Sequence, residues 1–448
     1  MNGLLTDLYQ LTMAAGYFQA GKASERATFE LFSRRLPPNR NYVIAAGLQQ
    51  AVEYLLNFSF TREEIAYLRT LPQLSQAPPE FFDALGRLRF TGDLFAMPEG
   101  SLAFADEPIL TVRAPLMEAQ IPETYLLATV GFQSLVATKA SRLVNAADGR
   151  SIVEFGTRRA HSPEAGVLAG RAAYIGGCVG TSNTLAGYRF GIPVFGTAAH
   201  SWVLAFPSEL ESFRQLQKLL GPATVFLIDT YDTLEGARKA ASLGKPMWGV
   251  RLDSGNLVEL SRAVRQILDR EGLNDTKIMA TGDLNEYKIL ELAKERLPID
   301  SFGAGTELAT SADAPSLGVV YKLVELEAGG VTRYTAKLSE EKETLPGAKQ
   351  VFRFPGHDVI GRSGECQGCG PDGMPAEALL RPVILDGELV APLPDVHAAR
   401  RRALDSLKRL PTACLSLFTV QPPYRVKYSE ELVKLQEKIK GSAPGVRA

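Results

Sequence analysis

Val225-Phe-Leu-Ile-Asp-Thr-Tyr-Asp runs four apolar residues straight into a polar turn, and a helix-period stretch, Leu234 to Leu243, follows. Apolar residues at successive positions suit a strand buried on both faces, the condition of a parallel sheet. The pattern recurs on either side: Ser151-Ile-Val-Glu-Phe-Gly-Thr-Arg-Arg, Ile192-Pro-Val-Phe-Gly-Thr-Ala-Ala-His-Ser, Met247-Trp-Gly-Val-Arg-Leu-Asp-Ser-Gly, Lys277-Ile-Met-Ala-Thr-Gly-Asp and Asp300-Ser-Phe-Gly-Ala-Gly-Thr-Glu. Further helix-period stretches lie between them, at Leu257 to Leu268 and Glu286 to Leu297. Strand, polar loop and helix in repetition predict a βα barrel or a doubly wound sheet. Both fold classes bind ligands at the carboxyl ends of their strands. Here those ends carry arginines, a histidine, several aspartates and a Gly-Ala-Gly-Thr loop, a set suited to a phosphorylated, anionic substrate.

The flanking sequence differs in character. Helices are expected near Leu4 to Phe18, Leu48 to Phe58 and Arg62 to Leu71, with extended stretches at Ala27 to Ser33 and Ser101 to Val112. One long helix, Met117 to Asn145, leads into the repeating region. Beyond Thr310 the chain turns strand-rich, with helices at Asp395 to Leu407 and Glu430 to Lys440. The simplest assembly is an α/β barrel, residues 115–325, with a second mixed α+β domain built from both chain ends, 1–114 and 326–448. A chain of 448 residues exceeds one simple core, which agrees with two domains. A net charge of -1 argues against a nucleic-acid or membrane surface, so any anion site is built locally. No basic, apolar leader opens the chain and no apolar run reaches membrane-spanning length, so a cytoplasmic protein is expected. Four cysteines make no disulfide framework. Cys366-x-x-Cys369 supplies half of a zinc site at most and reads as two thiols on a Gly-rich loop.

Each strand-end residue has two readings. His200 is either a packed, hydrogen-bonded histidine or a nucleophile, and its strand-end place favours the second. Arg158 and Arg159 are either a solvated pair or guanidinium forks for a carboxylate or phosphate. Arg251 and Asp253, with Ser254, put a phosphate fork and a carboxylate on one rim, unless the two simply pair with each other. Asp229, Asp232 and Asp283 are candidates for ribose or magnesium contacts, since magnesium takes few protein carboxylates. Gly303, Gly305 and Thr306 offer backbone N–H groups and a hydroxyl to a phosphate. Tyr9 lies in an amphipathic helix, where an aromatic is ordinarily core or interface. Asn183 is either a helix cap or a neutral partner of a substrate group.

These strings, with Asp7-Leu-Tyr-Gln-Leu-Thr-Met and Pro315-Ser-Leu-Gly-Val-Val-Tyr-Lys-Leu-Val, resemble those of nicotinate phosphoribosyltransferase, in the family's order over nearly the whole chain. The resemblance implies transfer of phosphoribose from 5-phosphoribosyl 1-pyrophosphate to nicotinate, coupled to ATP hydrolysis, in NAD salvage. It implies an irregular α/β barrel with a mixed domain from both termini, and a homodimer with shared active sites. It makes His200 the phosphoryl acceptor, with Ser201 beside it. It puts Phe155 on one face of the pyridine ring and Tyr9 of the other subunit on the second. Arg158 and Arg159 would handle nearby anionic groups, Arg251 phosphate oxygens and Asp253 ribose hydroxyls. Magnesium would enter with the pyrophosphate. Nicotinamide-using relatives show aspartate where Asn183 stands, so Asn183 fits the acid as substrate. The alternatives are a nicotinamide or quinolinate enzyme of the same barrel class, or a non-catalytic pyridine sensor.

Overall fold

The computed structural model describes residues 3–339, 343–365 and 376–442. It divides into two compact units, residues 1–135 with 316–448, and residues 136–315.

The second unit is built on six parallel strands, β1 (Ser151–Glu154), β2 (Gly180–Thr181), β3 (Val225–Leu227), β4 (Gly249–Leu252), β5 (Lys277–Ala280) and β6 (Ser301–Ala304). Their spatial order is β2-β1-β6-β5-β4-β3, with helices between successive strands, the irregular α/β barrel expected. Successive residues, Ile152 with Val153 on β1 and Ile278 with Met279 on β5, are all buried, so both faces of the sheet are covered. Five of the six apolar runs form strands. The run at Ile192 does not: it contributes one isolated bridge, Val194 to Thr181, and its polar end leads into a short helix, His200–Leu204. Pro193 lacks the N–H that a ladder needs, which leaves the run irregular.

Side-chain caps start the barrel helices. Asn183, Asp232, Asn256 and Asn285 each accept a backbone N–H in the first turn that follows.

The first unit joins both chain ends in one sheet. Its seven antiparallel strands run, in space, Val331–Tyr334, Val319–Ala328, Arg26–Ser33, Pro108–Pro115, Asp93–Ala96, Arg381–Leu385 and Glu388–Leu389. Glu30 and Lys349, both buried, pair at 2.7 Å and tie the early strand to the late segment. The helix expected over Met117 to Asn145 is two, Leu116–Gln120 and Glu123–Ala146, divided where Pro122 cannot donate. Likewise Ser101 to Val112 is not one strand but two, Leu102–Ala103 and Pro108–Pro115, separated by a turn with Asp106 at a φ of 65°. Among the described residues no helix is long and apolar enough to cross a membrane. Cys366 and Cys369 lie outside the described residues.

Candidate active site

A cavity of about 490 Å³ opens over the carboxyl ends of the parallel strands, lined by the second unit alone. Its wall begins at β1. Glu154, the last residue of that strand, turns inward and is buried. Its carboxylate accepts from the Gly156 N–H and, at 2.5 Å, from the Thr181 hydroxyl. Burial pushes this carboxyl up, and those two bonds offset part of the rise. The contacts clamp the turn that carries Phe155, Arg158 and Arg159 to the neighbouring strand. Both arginines are exposed, and no ion pair holds either among the described residues. Phe155 lies against Gly303: a Cβ there would sit 2.5 Å from the Phe155 ring and 2.6 Å from Thr281. Glycine on β6 is thus what lets an aromatic lie across the strand.

On the opposite wall a network joins β4 and β5. Arg251 donates through Nε to the Thr281 hydroxyl at 2.9 Å, through Nη1 to Thr197 at 2.7 Å and through Nη2 to Asp253 at 2.5 Å. Thr281 also donates to Asp253. The pairing of Arg251 with Asp253 is therefore present, and it coexists with cavity exposure: both residues line the space. Burial pushes the Asp253 carboxyl up, but the Thr281 hydroxyl and the Arg251 guanidinium outweigh it and hold the group below its ordinary value. Asp229, at the end of β3, accepts from the Asp253 N–H at 3.1 Å and from Ser254 at 2.6 Å. Its other oxygen, Oδ1, is buried without a hydrogen-bond partner among the described residues. His200 stands over this network, its side chain 44% exposed, with Nδ1 3.1 Å from the Thr230 hydroxyl and Nε2 3.9 Å from Asp253. If Thr230 donates to Nδ1, Nε2 keeps the proton; the reverse tautomer frees Nε2 as a nucleophile.

Asp283 lies at the cavity rim at a φ of 45°, after Gly282 at 90°. A Cβ on Gly282 would meet the Asp253 carbonyl at 2.0 Å, so this tight turn requires glycine. Gly303, Gly305 and Thr306 line the adjoining wall. Several expected residues do not line the cavity, Asp229 and Ser254 of the network above among them. Asn183 caps the helix Thr184–Phe190 through Oδ1 and donates to Thr157 at 3.3 Å, and its neighbour Ser182 takes the wall position. Asp232 likewise caps a helix. Ser201 lies in the turn after His200 and does not line the wall. Tyr9 belongs to the first unit, on the helix Leu8–Gln19, where Leu8 and Met13 are also exposed, as is Leu5 just before it. Burial, then Glu123 and Asp7, push its hydroxyl up to about 12.

The chain matches three family models: the nicotinate phosphoribosyltransferase N-terminal domain over residues 4–131, the quinolinate phosphoribosyl transferase C-terminal domain over 136–315, and the nicotinate phosphoribosyltransferase C-terminal domain over 371–436. It is 42% identical over 440 residues to a nicotinate phosphoribosyltransferase of Mycobacterium tuberculosis, covering 97% of this chain and 93% of that one. The chain belongs to the nicotinate phosphoribosyltransferase family. A Bacillus subtilis nicotinate phosphoribosyltransferase is 45% identical over 360 residues, 78% of this chain and 73% of that protein. The crystal structure of human nicotinic acid phosphoribosyltransferase superposes with a TM-score of 0.84 at 31% identity, covering 98% of this chain and all of that one.

Within this family member, sequence reasoning passed over Thr197, Thr281 and Glu307 as site residues, although all three line the cavity. The two threonines end apolar runs and could have been found by that rule. Glu307 could not. It follows the glycine loop and comes within 3.7 Å of Lys139, a buried lysine that also pairs with Glu286 at 2.6 Å and Asp313 at 2.8 Å. No local pattern announces a network drawn from four separate segments.

Proposed function

We propose that the protein is an ATP-coupled nicotinate phosphoribosyltransferase, joining nicotinate to 5-phosphoribosyl 1-pyrophosphate to give nicotinate mononucleotide and pyrophosphate. The observation that carries this reading is the pair Arg158 and Arg159, without carboxylate partners among the described residues, beside the Phe155 ring in a cavity that also holds His200 and Asp253. A flat ring bearing a carboxylate fits the first group of residues, by stacking and by charge-assisted hydrogen bonds. Ribose and diphosphate fit the second.

Displacement at the ribose carbon passes through an oxocarbenium-like state, and the pyridine nitrogen attacks without a base. The protein's task is positioning and charge. Asp253, held ionised by Thr281 and Arg251, accepts from ribose hydroxyls and faces the developing positive charge. The turn from Gly303 to Thr306 receives the 5-phosphate. Asp229 suits a magnesium ion, since its Oδ1 is buried and unpartnered; one or two carboxylates suffice when substrate phosphates complete the shell. When bound, that ion neutralises the departing diphosphate. His200 takes the γ-phosphoryl group of ATP on Nε2, releasing ADP, and water later returns the phosphoryl group as phosphate. Thr230, 3.1 Å from Nδ1, orients the imidazole by accepting the Nδ1 proton in the tautomer that leaves Nε2 free. Tyr9, on an exposed apolar stripe with Leu5, Leu8 and Met13, completes the pyridine pocket of a second copy in a homodimer.

Turnover of nicotinate, nicotinamide and quinolinate with phosphoribosyl pyrophosphate, each with and without ATP, tests the reading. Nicotinate should lead nicotinamide by about ten- to several-hundred-fold, the discrimination expected when arginine meets a carboxylate rather than a neutral amide. Equal use of the two, or preference for quinolinate, overturns it. No turnover with any of the three would favour a pyridine sensor.

A further inference from the structure

The first unit contains a cavity of its own, about 570 Å³, that the transferase reaction does not use. It lies between the four-stranded sheet that holds Lys349–Phe354 and the helix Val396–Arg409. The volume falls inside the range of small-molecule sites, about 300–1,000 Å³. Its floor is aromatic: Phe104 and Tyr424 stack with ring centroids 3.8 Å apart and planes 9° from parallel.

The charges around it do not cancel. Arg353 is committed to Asp358, at 2.5 Å, and to the Leu102 carbonyl. Glu377 is committed to Arg381 at 3.0 Å. Arg402 and Arg409 remain. Arg402 donates to the Glu99 carbonyl at 2.7 Å and Arg409 to the Asp405 carbonyl at 3.2 Å, and neither has a carboxylate partner among the described residues. Burial, then the nearby Arg381, lower the Arg402 pKa, and the charges of Glu377 and Glu99 offset only part of the fall. Arg402, Ser406 and Arg409 stand at i, i+4 and i+7 of one helix, hence on one face over about 10.5 Å. All three line the cavity. A half-buried cation costs solvation, and an anion in the cavity would recover it.

We propose that this cavity is a second ligand site, taking a phosphorylated small molecule of about mononucleotide size. Arg402, Ser406 and Arg409 hold its phosphate, and the Phe104–Tyr424 stack meets its organic part. Nothing in the transferase chemistry calls for these residues, so the site stands or falls apart from the proposed reaction.

The test is photolabelling of the full chain with 8-azido-AMP, followed by peptide mapping. Label should appear on peptides containing Phe104, Phe354 or Tyr424, and AMP should compete for it. Inorganic phosphate should compete more weakly, and adenosine at least tenfold more weakly than AMP. Arg402→Gln/Arg409→Gln should weaken labelling of these peptides at least tenfold. Should that variant fold poorly, Ser406→Glu keeps both arginines and sets a carboxylate between them, with the same loss expected. Glu377→Gln removes an opposing charge from the cavity lining and should tighten labelling. Label confined to peptides from residues 136–315, adenosine competing as well as AMP, or labelling indifferent to all these substitutions would overturn the proposal.

Discussion

Thr281→Val removes one oxygen and keeps the shape of the side chain. That oxygen donates to Asp253 and accepts from Arg251 Nε at 2.9 Å, and the threonine is buried. A hydrogen bond to a charged group contributes about 1.5–3 kcal/mol. The two bonds share a single hydroxyl, so their losses do not add. Asp253 keeps 29% exposure, and water recovers part of the deficit. About 2 kcal/mol remains, which corresponds to roughly thirtyfold in kcat/KM if the network acts in the transition state. The pH profile supplies a second readout. Burial raises the Asp253 carboxyl, and the Thr281 hydrogen bond is the largest single pull downward, followed by the charge and the hydrogen bond of Arg251. Without the hydroxyl the folded-state pKa climbs, so the carboxylate is lost at a higher pH and the acid limb of kcat/KM moves up. A depressed folded pKa stabilises the protein above the unfolded value and ceases to do so as pH falls through the folded one; the variant loses that contribution. Steady-state rates with nicotinate, phosphoribosyl pyrophosphate and ATP across the acid range measure both effects, and Thr281→Ser should restore them. An unchanged rate with an unmoved acid limb would mean that Thr281 only fills space.

His200→Ala should abolish an acid-labile, base-stable phosphoenzyme formed from ATP, and with it ATP turnover, while leaving a slower ATP-independent transfer; retained ATP stimulation would show the histidine to be structural. Mixing Tyr9→Ala with His200→Ala after subunit exchange should restore part of the activity that each lacks, because one pocket of each hybrid dimer carries neither lesion. No recovery, or a fully active monomer by light scattering, would count against a shared site. Lys349→Met should cost about 3–5 kcal/mol in urea unfolding, since it strands the buried Glu30 carboxylate, whose pKa burial raises and Lys349 pulls down. The raised pKa should make the variant relatively more stable as pH falls, and Glu30→Leu in the same chain should recover much of the loss. A cost below about 1 kcal/mol would place the pair among weak surface bridges.

How far the sequence could be read follows from what is local. Strand ends at Glu154, Leu227, Leu252, Ala280 and Ala304 were legible because burial on both faces leaves an unbroken apolar run, and the polar residue that ends it lies at the mouth of the sheet. Arg251 and Asp253 were found by that rule, and the cavity gathers them; Phe155 came from the family resemblance, and His200 lines the cavity although the strand expected to end in it did not form. The run at Ile192 obeyed the same rule yet formed only a bridge, because proline denies the ladder a donor. Pro122 divided a helix whose apolar period continues on both sides of it. Asn183 shows the converse: a cap and a ligand use the same side-chain oxygen, and only the backbone around it decides. The carboxylate of Glu154 looks like part of a strand in the sequence. Its two bonds to Gly156 and Thr181 exist only once separate segments meet.

The sheet that unites Arg26–Ser33 with Val319–Ala328 sets a timetable for synthesis. The Thr28 hydroxyl donates to Glu325, a partner 297 residues later in the chain. At about 5–20 residues per second, the ribosome needs roughly 15–60 s to deliver that partner. Through this interval the early strand can pair with Pro108–Pro115 on one side only, and its other edge stays open. The parallel unit, complete by residue 315, emerges whole in the meantime. The nascent chain therefore carries a finished insert between two halves of an unfinished sheet, with an aggregation-prone edge exposed for as long as translation takes.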